Sequence, residues 1–466
     1  MTFALVATIS MLQTPISTVK IWEKWIAPGL EYVMEWEPGK PWIINALRIN
    51  LKSTSIRPIS ELAGKTVYED TPSFGRGTVT SMVQADSGLG GINGDFFPFK
   101  GNPLNLMVRD GELLEMPYQP KEFPTSRRPV FGWGDKSAQF GFARTSMTLT
   151  PDGSKSIPID GLNEESIPGQ TTINSQSAGI AYGKAPNSYA IIEIQDGKWA
   201  PTGQIRGDVI ETGNNLTKRN VLPGTAIVIG EDAAAPKIAA LQKSEEVTIS
   251  MNTTGFDWSK ITNVMGGSTT LLKDKKVDID SAEAREAVEF TDLRHPRSAV
   301  GVNGRGDIWL VAVDGRTKYS IGATLPEMAA IMSSFGCVNA MNMDGGGSTA
   351  INVLGMTMNH PSDGVEREVA NAIIVLGTPH SASNENLTFI GPSLVSLDQS
   401  VTLAIKVVGN KGNLPNSQIL WNAEGAAWID EGGTLHPTRA GIVNLTARVH
   451  GQLLESRITI VDQKAN

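Results

Sequence analysis

Between Val19 and about Asp110 short apolar runs are separated by turn residues, and the runs have the length and composition of strands. Trp42 to Leu51 and Gly90 to Phe99 gather the β-branched and aromatic side chains that suit a pleated surface. Leu104 to Val108, then Asp110-Gly111, then Glu112 to Leu114 predict a hairpin, because Asp-Gly tolerates the positive φ of a type I′ turn. From Arg127 to about Glu246 the same pattern continues: Ser188 to Ile194 leads to Asp196-Gly197, and Leu222 to Ile229 runs into Gly230. That stretch reads as an insertion or a second sheet layer.

One helix is well specified. Thr324 suits the N-cap, Pro326 the first turn and Glu327 the far end of a capping box. Leu325, Met328, Ala329, Met332 and Phe335 repeat at helical spacing up to Gly336, a stripe expected to face the core. The apolar run before it, Asp307 to Val313, ends at Asp314-Gly315-Arg316. The run after it, Val338 to Met343, ends at Asp344-Gly345-Gly346-Gly347-Ser348. Packing the helix is therefore expected to bring two acidic strand ends together. Beyond about His380 a polar linker, Ser381 to Leu387, precedes alternating strands, as in Val401, Leu403, Ile405 and Val407.

Composition narrows the function classes. Among 466 residues, 48 glycines and 26 prolines with 19% charged side chains describe a folded, turn-rich chain of about three units, or one interrupted unit with an appendage. A net charge of -8 without a basic run offers no footprint for nucleic acid. Cys337 is the sole cysteine, which excludes an intrachain disulfide, a thiolate zinc site and an iron–sulfur cluster. No segment reaches the roughly 18 consecutive apolar residues of a membrane-spanning helix. Phe3 to Leu12 fits either the stub of a trimmed export signal or a buried first strand. Sequons at Asn215, Asn252, Asn386 and Asn444 matter only on a eukaryotic secretory route.

The candidate chemistry gathers in three places. Asn339, Asn342 and Asp344 precede three glycines, which let backbone N–H groups approach a polar ligand closely. The loop lacks a phosphate-binding lysine, so it is not a P-loop, and a plain tight turn with Asp344 capping its own N–H groups is the competing reading. Ser348 lacks the surroundings of an activated nucleophile. Arg294-His295-Pro296-Arg297 brings two guanidinium forks to a strand start, suited to phosphate or carboxylate, or else to a solvated surface. In Asn93-Gly94-Asp95-Phe96-Phe97 a carboxylate lies among apolar residues, which demands a cation, hydrogen bonds or a place at a pocket lip. Trp199, Trp258 and Trp309 are more naturally core than sugar platforms.

The motifs RHPRSAVGV, WLVAVDGR, TLPEMAAIMSSFG, VNAMNMDGGGSTAINV and NHPSDGVEREVANAIIV together resemble the phosphodiester glycosidase family, as do GINGDFF, NPLNLMVRDGELL and MGGSTTLLKDKKV upstream. The resemblance runs from about residue 24 to residue 378 and is weakest between Arg127 and Glu246. It implies an α+β catalytic unit, residues 24–380, of curved sheets around a central helix, with 127–246 a variable β-rich region. The C-terminal residues 388–466 resemble a bacterial immunoglobulin-like sandwich, and 1–23 are left as an export remnant or first strand. Asn93, Asp95, Arg297, Asp314, Arg316, Asp344 to Gly347, Ser348, Thr349, Ser362, Asp363 and Arg367 match family positions.

The implied reaction is cleavage of the anomeric C–O bond of a sugar 1-phosphodiester by a secreted or cell-surface hydrolase. Asp344, Asp314, Arg316 and Arg297 are the expected catalytic groups. Asn93, Asp95, Arg294, His295, Asn342, Gly345, Gly346, Gly347, Ser348, Thr349, Ser362, Asp363 and Arg367 are expected to bind substrate. Two nearby carboxylates would split their pKa values, and a gap of ~5 Å or ~6.5–9.5 Å would separate a retaining from an inverting outcome. No cofactor is required, with calcium optional. A phosphate-free surface glycan is the alternative substrate, and calcium-dependent polysaccharide binding the non-enzymatic alternative.

Overall fold

The computed structural model describes residues 19–462 apart from 99, 121, 122, 124, 281, 283 and 380. The Phe3 to Leu12 expectation lies outside the described residues. The fold is mixed α+β, built of curved sheets with smaller sheets at the C-terminal end. An eight-stranded sheet runs in the order Lys20–Ala27, Leu30–Glu37, Trp42–Ile49, Ile308–Val313, Arg297–Asn303, Cys337–Asn342, Thr269–Lys273, Lys276–Val277. Register shifts at Trp25/Ala27, Thr270/Leu272 and Val302/Asn303 bend it, as bulges do.

Both faces of the central strands of this sheet are buried, which explains the continuous apolar runs at Ile308–Val313 and Trp42–Ile49. One face packs Leu47, Val300, Leu310 and Met341 against Ile92, Ile351 and Ile373 of a five-stranded sheet. The other packs Ala299, Val311, Val313 and Ala340 against Leu325, Met328, Ala329 and Met332 of the Leu325–Ser334 helix. That helix carries the reciprocal capping box between Thr324 and Glu327, and Gly336 beyond its end has φ +76°. Phe335 is only half-buried and tilts against Trp309, whose side chain is core.

Residues 127–246 do not form one layer. Val130–Trp133 and Ala138–Gly141 pair into a sheet with Met107–Arg109, Glu112–Glu115 and Asn263–Gly266. A second eight-stranded sheet spans Arg144–Pro151 to Glu246–Thr254, and its Leu149, Ile192, Val228 and Ile249 share a core with Val108, Leu113, Val130 and Val264 of that five-stranded sheet. The Asp110-Gly111 hairpin forms, with φ of +48° and +85° and Arg109 opposite Glu112.

The C-terminal strands are tied to the first sheet. Leu420 and Trp428 join its core, and Lys24 is buried with its Nζ donating to Glu431 O at 3.0 Å and pairing with Glu431 Oε2 at 2.9 Å. No helix of the described residues is long and apolar enough to cross a membrane.

Candidate active site

Sheet order, more than the helix, brings the acidic strand ends together. Arg297–Asn303 lies between Ile308–Val313 and Cys337–Asn342 and is antiparallel to both. Its neighbours therefore run parallel to each other and finish at the same edge, two strand spacings apart, about 10 Å. Asp314 and Asp344 follow those ends and flank the start of the central strand.

Beyond Asn342 the chain leaves the sheet: Met343 N donates to Ser298 O at 2.9 Å and Asp344 N to Gly94 O at 3.1 Å. Asn93, fully buried, fixes this crossing. Its Nδ2 donates to Asp344 O at 2.7 Å, while its Oδ1 accepts from Ser298 Oγ at 2.7 Å and Ala350 N at 3.1 Å. With Nδ2 and Oδ1 so engaged, Asn93 holds the loop's backbone.

The glycines are required by what lies on them. Gly346 has φ +62° and donates its N–H to Pro296 O at 2.9 Å. A Cβ on Gly347 would stand 2.0 Å from Arg367 Nη2 and 2.3 Å from Asp363 Oδ2, and one on Gly346 3.2 Å from Arg316 Nη2. Two guanidinium groups thus rest on the triple glycine. Arg316, exposed, donates to Ser362 Oγ at 3.1 Å, and Arg367 is forked onto Asp363 Oδ2 at 2.9 and 2.6 Å with Ser348 Oγ at 3.4 Å.

Asp344 accepts from Gly345 N at 2.9 Å, the tight-turn bond anticipated for it. Burial pushes its carboxyl up to about 6, against the opposing pull of hydrogen bonds from Ser348 and Gly345 and of the Arg367 charge; Glu286 pushes the same way as burial. Asp95 is fully buried, accepting from Phe96 N at 2.8 Å and Asn105 N at 2.7 Å. Burial drives it up to about 7 despite Arg128 and these amides, with the negative charge of Asp344 adding to the rise.

Asp314 is engaged differently. Its side chain is buried and accepts from His360 N at 3.1 Å through Oδ1 and faces His360 Nδ1 at 2.6 Å through Oδ2. The 314–316 and 360–362 segments are thereby stitched twice, Asp314 to His360 and Arg316 to Ser362.

The Arg-His-Pro-Arg segment divides. Arg294 is exposed and paired with Glu327 at the helix start, so it contributes to the cap. His295 exchanges backbone bonds with Ala323, and burial followed by Arg297 and Arg316 holds its imidazole below the usual range. Arg297 is fully buried, with Nε donating to Ala323 O at 2.9 Å and Nη2 to Phe290 O and Leu293 O at 2.5 and 3.1 Å. Desolvation lowers it to about 10, and its Nη1 has no partner among the described residues.

Asn342 Oδ1 and Thr349 Oγ1 are likewise buried and unpartnered, while Asn342 Nδ2 donates to Met343 O at 2.7 Å. Asn339, three residues back along the strand, instead accepts from Asp274 N in a neighbouring turn.

Three residues of this neighbourhood escaped the sequence reading. His360 lay inside the quoted NHPSDG motif, its pairing with Asp314 being the unseen part. Arg128 and Glu286 form an ion pair at 3.2 Å, Glu286 raised by burial, in segments without periodicity or motif. Only long-range packing gives them a place. Among the described residues no group of three or more His, Cys, Asp or Glu could hold a metal ion.

A model of the phosphodiester glycosidase family matches residues 191–376. An uncharacterized SPbeta prophage-derived protein, YomE, of Bacillus subtilis (strain 168) is 26% identical over 196 residues, 41% of this chain and 28% of that protein. The N-acetylglucosamine-1-phosphodiester alpha-N-acetylglucosaminidase of Bos taurus is 28% identical over 171 residues, 35% of this chain and 31% of that enzyme. The chain thus spans under a third of the length of these relatives. A crystal structure of a hypothetical protein from Synechocystis shares the fold, with a TM-score of 0.61 at 18% identity, covering 76% of this chain and 63% of that one. The family match begins inside the 127–246 stretch where the motifs are weakest, and it contains the triple-glycine loop, both arginines resting on it and the Asp314–His360 pair. Over this segment the chain is homologous, at low identity, to the phosphodiester glycosidase superfamily.

Proposed function

We propose that the protein hydrolyses the glycosidic C–O bond of a sugar 1-phosphodiester, with Asp344 as the catalytic carboxylate and Arg316 and Arg367 as the phosphate-binding pair. One observation carries the reading: a carboxylate with a pKa raised to about 6 sits at the head of a glycine turn on which two guanidinium groups rest. The phosphodiester specificity draws on the family match and on the activity for which the bovine relative is named.

Departure of the phosphate leaves oxocarbenium character on the sugar ring. Arg316 and Arg367 would hold the leaving oxygens, supplying positive charge where charge develops and lessening the need for a general acid. Asp344, ionised at neutral pH, would activate water or stabilise the cation. Its acidic neighbour in this proposal is Asp95, because Asp314 is committed to His360. Asp314 then orients the segment that carries Ser362, and Arg297 positions the 290–293 carbonyls beside the central strand while adding to the local positive field. Asn93 holds the loop by its carbonyl. Asn342, Ser348 and Thr349 supply the polar groups for sugar hydroxyls.

Residues 24–380 form the catalytic unit of this proposal and 388–466 an appended immunoglobulin-like sandwich, in an extracellular or cell-surface setting. No step runs through the optional calcium. The test is release of free sugar from N-acetylglucosamine 1-phosphodiesters and a panel of other sugar phosphodiesters, beside the neutral glycosides of the same sugars. Release from at least one phosphodiester and its loss in Arg316→Gln are expected. Silence across the panel, or equal effects of Arg316→Gln on neutral and phosphorylated substrates, would overturn the assignment.

A further inference from the structure

A groove of about 520 Å³ lies where the first strand meets the C-terminal sheets, and none of its lining residues belongs to the triple-glycine loop. Trp25, Leu354, Ser383, Gln418, Arg448 and His450 line it. Trp25 is 71% exposed, the highest value among the exposed large apolar side chains of the first sheet, on a strand whose register shifts just beyond it. An indole so exposed beside polar groups is a surface on which a sugar ring can stack, its apolar face on the ring and its hydroxyls toward the polar lining.

Arg448 supplies the second observation. It lies opposite Leu420 on the strand Gly441–Val449, on the side turned to the first sheet. Its Nε is sealed from water without a hydrogen-bond partner, and it makes no ion pair among the described residues. The other charged groups nearby are occupied: Lys24 is held by Glu431, and His450 Nδ1 faces Glu385 Oε2 at 2.5 Å while its Nε2 lies 3.3 Å from Gln418 Oε1. The sealed Nε is beyond the reach of a ligand, so the half-buried guanidinium, left without a counter-charge, has its Nη groups to offer a carboxylate in the groove. The overall charge of -8 repels anions at long range, but screening over about 8–10 Å leaves the local cation in command of the groove.

We propose that this groove is a second, non-catalytic glycan site that binds an acidic sugar residue, the ring stacked on Trp25 and the carboxylate forked onto Arg448. The proposal does not depend on the reaction assigned above. Trigalacturonate serves as the probe, with maltotriose as the uncharged control, and binding to the full chain is followed by tryptophan fluorescence and by calorimetry.

The native protein is expected to bind trigalacturonate at least tenfold more tightly than maltotriose. Trp25→Ala should weaken both sugars at least tenfold, whereas Arg448→Gln should remove the preference for the acidic one and Arg448→Lys restore part of it. Thermal melting of each variant establishes that it is folded, and Trp25→Ala lies on an edge strand with little to collapse. Absence of trigalacturonate binding, indifference to either substitution, or displacement by inorganic phosphate at the same concentration as the trisaccharide would overturn the proposal. Because the readout is binding, failure of the protein to cleave any phosphodiester would leave this result unaffected.

Discussion

Replacing Asp344 by Asn removes one charge and preserves the shape of the loop, since the amide oxygen can still accept the N–H of Gly345 that Oδ1 accepts at 2.9 Å. The loop itself is held elsewhere, by Asn93 at the carbonyl and by Pro296 O at Gly346, so folding should survive. Catalysis by a positioned carboxylate contributes about 10²–10⁴-fold, or roughly 2.7–5.5 kcal/mol of barrier, and a loss of that size in kcat is expected. The pH profile gives the sharper reading. With the carboxyl raised to about 6, Asp344 is mostly ionised at neutral pH and mostly protonated a unit below that value. Below the raised value kcat/KM should therefore fall about tenfold for each further pH unit, whereas a carboxylate with an ordinary pKa near 3.9 would leave the profile flat there. Initial rates of sugar release between pH 4.5 and pH 8, for native protein and Asp344→Asn, test this. Asp344→Asn retaining more than about a tenth of native kcat, or a native profile flat from pH 5 to pH 7, would refute the assigned role.

The neighbours of Asp344 should move that acidic limb in opposite directions. Arg367 lowers the carboxyl and Glu286 raises it, so Arg367→Gln should shift the limb to higher pH and Glu286→Gln to lower pH; a common direction in the same assay would contradict the geometry. At the junction of the first sheet with the C-terminal strands, Lys24→Met leaves Glu431 buried beside no cation. A loss of about 3–5 kcal/mol in denaturant unfolding is expected, with Lys24→Met/Glu431→Leu recovering much of it. Burial already raises Glu431 to about 6, with Lys24 opposing the rise. Removing Lys24 raises that folded value further. Protonation then relieves the unpaired charge, so the deficit of Lys24→Met should shrink as pH falls through the raised value and persist above it, readable as the difference between native and variant midpoints.

Much of the candidate site is legible because its chemistry is local. The capping box at Thr324 and Glu327, the strand-end positions of Asp314 and Asp344, and the Asp-Gly turn at Asp110 each depend on residues within one turn or one strand. Their steric rules can be read off neighbouring letters. The glycine run announces close approach for the same reason, since a missing Cβ is visible in the sequence, although what approaches is not.

What only the tertiary structure decided is how charges separated in sequence neutralise one another. Arg294 and Arg297 stand three residues apart, yet one is an exposed partner of a helix cap and the other a buried donor to three carbonyls. Asp314 looks like a twin of Asp344, but His360, 46 residues away, takes both its carboxylate oxygens, and the raised neighbour of Asp344 is Asp95, in the loop that follows a strand of a different sheet. Arg128 and Glu286 carry no pattern at all. Strand alternation and capping are short-range constraints that a sequence states directly. The field at a carboxylate is set by which distant strands are adjacent, through desolvation and Coulomb interactions that depend on distance in space.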